Sequence, residues 1–477
     1  MTLTTPDHAP DAGPVFERLE PLTGKVASTA PAMTVAEATA AVDRAAAAFP
    51  EWSQTKPIER RRLLLRAADL LEKRGPDLQR LLTSEVAATG RAIGHNMAIG
   101  ANNLREAASV CTRINGEVIP SNLPGVFTMS IRRPLGVTLG IAPWNGTISL
   151  STRSVAMPLA CGNTTVMRGS ELSPATHLLI GEVFAEAGFP EGVVNVVVNA
   201  PENGPDIVRA LVAHPSVRHV NFTGSSKVGR IVAALAGEHL KPVLLELGGK
   251  NSMIVLRDAD LDQAVSAATM GSFLYQGQIC MTTGRILVEA PVADEFARRL
   301  AERTATLRVG DPRLGEVDLT CLIGEEQAVR VKELIDDAVS RGATLLTGGG
   351  RDGTFIQPAV LDHVDAGMRI YTEETFGPAA CITRVDSAEE ALAIANDTAY
   401  GLAGSIFTSD ITLALEMAGR WESANVHING STFAVESHVP YGGVKDSGYG
   451  RFGGAGTINE FTYLQTVTIN RDQHFPL

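Results

Sequence analysis

Apolar residues along this chain fall into two periods. Leu64, Ala67, Ala68 and Leu71 recur at the three- and four-residue spacing of one helix face, and Pro57 suits a first turn, so a helix is predicted over Pro57–Lys73. Between Ile131 and Glu246 the pattern changes to short apolar runs: GVTLGIA (136–142), NTTVM (163–167), VVNVVV (193–198), VRHVNF (217–222) and PVLLEL (242–247). Helical segments near Pro174–Ala187, Asp206–Ala213 and Ser226–Ala236 separate them. Uncharged strands alternating with helices predict a parallel sheet covered on both faces. A second α/β series starts after Gly248 and Gly249, with helices at Leu261–Phe273 and Glu325–Arg341 and apolar runs such as ACIT (380–383). The stretch from Pro134 to Thr152 carries no charge, yet its prolines, Asn145, serines and threonines argue against a membrane span. It reads as a buried strand and loop. FTYLQTVTI (461–469) reads as an apolar strand that pairs with another segment, plausibly of a second subunit.

Length and charge narrow the picture. A chain of 477 residues holds at least two cores. Its net charge of −12 disfavours nucleic acid and anionic membranes as partners. An anionic cofactor stays open, because a helix terminus can oppose the global sign. Cys111, Cys161, Cys280, Cys321 and Cys381 are odd in number, widely spaced and free of any C-x-x-C pair. They read as reduced thiols of a cytoplasmic protein, with neither a disulfide framework nor a metal site. The N-terminal MTLTTPDHAPDAG has no basic start followed by an apolar run, so no leader is expected.

Three positions stand out chemically. Cys280 lies in YQGQICMTTGR (275–285), a glycine-containing loop after a helix. By itself, a cysteine between Ile279 and Met281 is more often a buried structural thiol than a nucleophile. Glu246 ends an apolar run in LLELGGK (244–250), a costly place for a carboxylate unless it is paired or carries a raised pKa. Its bland reading is a salt bridge to Lys250 or Lys241. Asn145, in APWNGT (142–147), is by itself an ordinary turn residue. Arg153 is the only charge between Pro134 and Met167, so it must meet a structural carboxylate or a substrate. GYGRFG (448–453) matches the dinucleotide pattern G-x-G-x-x-G, but no strand precedes it and the match is rejected.

Taken together, PWN (143–145), FTGSSKVG (222–229), ELGGKN (246–251), GQIC (277–280), EETFGP (373–378) and PYGGVKDSGYGR (440–451) resemble the aldehyde dehydrogenase superfamily. The resemblance runs from about residue 20 to the C-terminus. GNTTVMRGSELSPATH (162–177), GQICM and HING (427–430) look most like the bacterial aromatic type, acting on salicylaldehyde, vanillin or benzaldehyde.

The resemblance implies two Rossmann-type parallel-sheet domains plus a small β oligomerisation element. Residues 1–117 and 139–246 would form the dinucleotide-binding domain and 247–447 the catalytic domain, with 118–138 and 448–477 as bridging segments of a homodimer or homotetramer. It also implies a nucleophilic Cys280, Asn145 as oxyanion donor together with the Cys280 backbone N–H, and Glu246 as the base that activates water. Sulfur suits this chemistry because it attacks a carbonyl strongly and then leaves readily from a thioester. The cofactor would be NAD, with NADP possible. It would be held by Trp144, Arg168, Ser170, Glu171, Gly224, Ser225, Gly229, Leu247, Glu374 and Phe376. The aldehyde would meet Leu150, Arg153, Ile279, Met281, Val435 and Tyr441, with Gly146 leaving room.

Arg168, Gly169 and Tyr275 depart from the family's common lysine, proline or alanine, and asparagine. The guanidinium keeps the charge but contacts ribose or phosphate differently, which leaves NAD against NADP open. The competing readings are a CoA-acylating aldehyde dehydrogenase and a catalytically silent structural protein on the same fold.

Overall fold

The computed structural model describes residues 13–454 and 456–471. Most of the N-terminal stretch read above for a leader, residues 1–12, lies outside them. Three sheets organise the molecule, one six-stranded, one seven-stranded and one three-stranded.

The six-stranded sheet orders its strands as Gly448–Tyr449, Val243–Glu246, Val217–Thr223, Val137–Ile141, Thr164–Arg168 and Val194–Val197. All neighbours are parallel except the short Gly448–Tyr449 edge. The order reverses between Val137–Ile141 and Val217–Thr223, so a crevice opens beyond their carboxyl ends, where doubly wound sheets take ligands. Every residue of Val137–Ile141 is buried, which is why that run carries no charge.

The seven-stranded sheet runs Thr344–Thr347, Ala359–Asp362, Ala379–Val385, Thr283–Glu289, Asn251–Val255, Ala403–Phe407 and Asn425–Ile428. It is parallel but for Thr344–Thr347 at one edge. The third sheet is antiparallel, with Val126–Pro134 between Glu117–Ile119 and Thr462–Asn470.

The helices Pro57–Lys73 and Leu261–Phe273 fall where their periodicity puts them. The uncharged stretch after Pro134 does not. Only its first half is strand, and Thr147–Ala160 is a helix, not a loop. Twelve of that helix's residues are buried, so no polar face exists to give a helical period. Two of its hydroxyls turn back onto its own carbonyls, Thr152 Oγ1 donating to Ile148 O at 2.9 Å and Ser154 Oγ to Ser151 O at 2.8 Å.

The C-terminal strand pairs with Val126–Pro134 of its own chain, which supplies the partner expected from a second subunit. Its side chains are mostly exposed. Gly448–Tyr449 belongs to the first sheet, and its glycine explains the rejected motif. Gly448 has φ +109°, and a Cβ there would lie 2.0 Å from the Leu245 carbonyl oxygen. Among the described residues no helix is long and apolar enough to cross a membrane.

Candidate active site

The site lies where the carboxyl ends of the first sheet meet the loop that enters Thr283–Glu289. That loop begins with a tight reversal in which Tyr275, Gln276 and Gly277 have φ of 53°, 56° and 68°. Two consecutive non-glycine residues in the left-handed region cost on the order of 1–2 kcal/mol each. Gln276 anchors the strained turn by donating from Nε2 to Thr320 Oγ1 (2.8 Å) and the Cys321 carbonyl (3.1 Å). At the other end, Asn251 Nδ2 donates to the carbonyls of Cys280 (2.8 Å) and Thr282 (2.9 Å). The cysteine is thus fixed from both sides.

Cys280 alone among the five cysteines is partly exposed; Cys111, Cys161, Cys321 and Cys381 are buried. Its Sγ lies 3.7 Å from the Tyr441 hydroxyl. Burial, reinforced by the Glu246 carboxylate, pushes the thiol up to about 12.

Glu246 is fully buried. Burial raises its carboxyl to about 7 against the opposing pull of Arg153. Its Oε2 lies 3.4 Å from Arg153 Nη2, while its Oε1 has no hydrogen-bond partner among the described residues. The lysines considered above bind elsewhere: Lys241 Nζ donates to the carbonyls of Val212 and His214, and Lys250 Nζ to Thr375 Oγ1 at 3.1 Å. Arg153 therefore has its carboxylate. Its guanidinium also donates to Thr223 Oγ1 (3.1 Å) and lies between the rings of Tyr441 (5.2 Å) and Phe452 (4.6 Å).

Asn145 follows the Val137–Ile141 strand and donates from Nδ2 to the Gln278 carbonyl at 2.9 Å. It shares with Cys280 a cavity of about 720 Å³ of empty space. Leu150, Arg153, Ile279, Met281, Val435 and Tyr441 all line that cavity, as does Gly146. A Cβ on Gly146 would come within 3.0 Å of the Leu150 side chain, so any larger residue would crowd the wall.

The sequence reading missed the opposite wall. Ala92, His95, Asn96, Ile99 and Asn103 come from one face of the helix Gly90–Val110, and Phe433 faces His95 at 5.0 Å between ring centroids. Their spacing of three and four residues fits one helix face, but their mixed chemistry gives no apolar stripe to read. Tyr275, noted only as a departure from the family pattern, also lines the cavity.

The cofactor candidates make the following contacts. Ser225 caps the helix Ser226–Glu238, its hydroxyl accepting from Val228 N at 3.3 Å. Ser225, Lys227 and Val228 are exposed, which presents that helix N-terminus to an anion. Arg168 pairs with Glu171 at 2.9 Å and donates to Asn199 Oδ1 at 3.0 Å, while Ser170 Oγ accepts from Leu172 N at 3.2 Å. Glu374 accepts from Gly249 N at 3.1 Å. Half-buried Trp144 packs edge-on to Phe376, with ring centroids 6.0 Å apart.

Two glycines serve packing here. A Cβ on Gly229 would lie 2.5 Å from the Leu247 side chain, and one on Gly224 would lie 2.5 Å from the Phe222 ring. An exposed helix N-terminus after a strand that flanks the reversal of strand order fits a dinucleotide.

The chain thus combines doubly wound parallel sheets with a half-open cysteine close to a buried carboxylate. The aldehyde dehydrogenase family model matches residues 8–467. A vanillin dehydrogenase of a Pseudomonas species is 52% identical over 463 residues, covering 97% of this chain and 96% of that protein. A salicylaldehyde dehydrogenase of Pseudomonas putida is 45% identical, with the same coverage of 97% and 96%. The crystal structure of a salicylaldehyde dehydrogenase from Pseudomonas putida, complexed with salicylaldehyde, superposes with a TM-score of 0.95 at 45% identity, covering 97% of this chain and 96% of that one. The chain belongs to the aldehyde dehydrogenase family and is an oxidoreductase acting on aldehydes.

Proposed function

We propose that this enzyme oxidises an aromatic aldehyde to its carboxylic acid through a covalent intermediate on Cys280. The observation that carries this reading is the position of the half-open Cys280, which shares a largely apolar cavity with Asn145 and Arg153. Attack of the sulfur on the carbonyl would give a thiohemiacetal, whose oxyanion Asn145 and the Cys280 backbone N–H would stabilise. A nicotinamide dinucleotide held by the residues described above would supply the hydride acceptor. Glu246, with one carboxylate oxygen unpartnered, would then take a proton from the water that hydrolyses the thioester. That role argues against CoA as the acyl acceptor, and a test for acyl-CoA formation with added CoA distinguishes the two. An aldehyde panel run with NAD and with NADP tests the whole reading. Benzaldehyde-type substrates should exceed acetaldehyde in kcat/KM, and long aliphatic aldehydes winning outright would overturn the aromatic assignment.

Cofactor choice follows from the Arg168–Glu171 pair. The Glu171 carboxylate would repel a 2′-phosphate, while Arg168 and Ser170 would offset that repulsion. NAD should be preferred by about tenfold or less, equivalent to ~1.4 kcal/mol. A strong preference for NADP in the same panel would mean that Arg168 leaves Glu171 to bind the phosphate.

Arg153→Ala should act twice. Loss of the Glu246 ion pair lowers turnover on every substrate. Ring-hydroxylated aldehydes should lose a further ten- to hundredfold, about the value of a charged hydrogen bond. Equal losses on benzaldehyde and its hydroxylated analogues would make Arg153 purely structural.

The exposed three-stranded sheet is assigned to self-association, as a homodimer or homotetramer. Mass in solution by light scattering tests it, and a monomer at micromolar concentration would refute it.

A further inference from the structure

A thiol this strongly inclined to keep its proton needs help to react near neutral pH. The groups that face it are few. Glu246 and Glu374 oppose the thiolate, and Arg153 favours it. His95 stands across the cavity on the Gly90–Val110 helix, where burial lowers its pKa and keeps it neutral near pH 7. Arg153 is already committed to Glu246 and Thr223. Among the described residues, the Tyr441 hydroxyl is the only hydrogen-bond partner of the sulfur.

Tyr441 is built to be a donor at a fixed place. It is buried, and it forms a two-way backbone bridge with Phe452, with N–H···O distances of 2.7 and 2.8 Å. Burial and the neighbouring Cys280 and Glu246 charges hold its own proton on well above the usual phenol range. A phenol that cannot ionise can only donate toward an anion. Arg153 over the ring fixes the same face.

We propose that the Tyr441 hydroxyl is a catalytic residue, donating a hydrogen bond to the Cys280 sulfur that stabilises the attacking thiolate. In this step the S–H bond breaks, the proton leaves to solvent water at the exposed side of Cys280, and Tyr441 keeps its own hydrogen throughout. The inference rests on the proposed role of Cys280 as nucleophile. It assigns to Tyr441 more than the apolar wall of the aldehyde cavity.

The test is alkylation of the full-length enzyme by iodoacetamide across pH, with the labelled peptide identified by mass. Tyr441→Phe keeps the ring under Arg153 and removes only the hydroxyl. Its Cys280 should be alkylated about tenfold more slowly at pH 8, with the rate profile moved up by about one pH unit, because a hydrogen bond to a charged group is worth at least that much. The KM for benzaldehyde should be unchanged, which separates lost thiolate from altered access. An unmoved profile overturns the inference, and so does slower alkylation accompanied by a raised KM. Cys280→Ala serves as the control. If that variant still turns over aldehyde, the nucleophile reading falls. If it is inactive and the Tyr441→Phe profile is unmoved, only the role of Tyr441 falls.

Discussion

Replacing Cys280 with alanine should reduce aldehyde oxidation by about 10⁴-fold or more, the scale on which loss of a covalent nucleophile is felt. The side chain is small and only partly buried, and among the described residues it makes no hydrogen bond beyond the Tyr441 hydroxyl, so the fold has little to lose. Dinucleotide affinity should stay nearly constant, because the thiol takes part in covalent chemistry and is not one of the candidate cofactor contacts. Steady-state assays paired with calorimetric titration of NAD check both halves. Substantial turnover in the variant would end the covalent mechanism. Alanine at Cys111, Cys161, Cys321 or Cys381 should alter stability at most, since all four are buried and burial holds their thiols in the unreactive protonated form.

Glu246→Gln should separate the two halves of the reaction. Acylation should release about one NADH per active site, and turnover should then stall at the thioester with kcat down by about 10²- to 10⁴-fold. Rapid-quench kinetics would show the burst. Its absence would place Glu246 earlier, in deprotonating Cys280.

The pH dependence carries the same signature. The carboxyl, raised to about 7, must be ionised to act as a base, so kcat in the native enzyme should climb as pH rises through 7. In Glu246→Gln that rise should vanish. Stability moves the opposite way. A carboxyl raised from 4.5 to about 7 on folding contributes stability that is present below pH 4.5 and lost as pH rises to 7, roughly 3 kcal/mol in all. The enzyme gains its base over the same pH range in which the fold weakens.

What the sequence conveyed depended on whether burial left a period to read. Pro57–Lys73 buries one face and exposes the other, and its boundaries could be read directly. The parallel strands of the first sheet were visible as short apolar runs separated by helices, while most strands of the second sheet were not read. Thr147–Ala160 is surrounded by protein on all sides, so its composition resembles a strand followed by a loop, and Pro158 within it adds to the disguise. Gly90–Val110 contributes a cavity wall through Ala92, His95, Asn96, Ile99 and Asn103, a mixture of small, polar and apolar residues with no single hydrophobic stripe. The candidate chemistry was legible only through six short motifs in order. No spacing rule brings Glu246 and Cys280 together, because their approach depends on two different sheets. The Arg153–Glu246 pair was half visible, as a lone charge in an uncharged region that required a partner.

The pairing of Gly448 with Glu246 also bears on how the molecule is made. The strand that carries Glu246 is closed on its outer edge by a segment near the end of the chain, where Leu247 N donates to the Ser447 carbonyl at 3.0 Å. The third sheet is likewise closed late: Arg132 reaches Thr462, 330 residues further on, at 3.0 Å. During synthesis the Val243–Glu246 edge therefore stays bare until Gly448 and Tyr449 have left the ribosome, and a bare edge is a template for wrong partners. Contacts this distant in sequence also slow folding. Release of a chain cut short before Asp446 would remove more than a tail, leaving the outer edge of the strand that carries Glu246 bare and a product expected to aggregate.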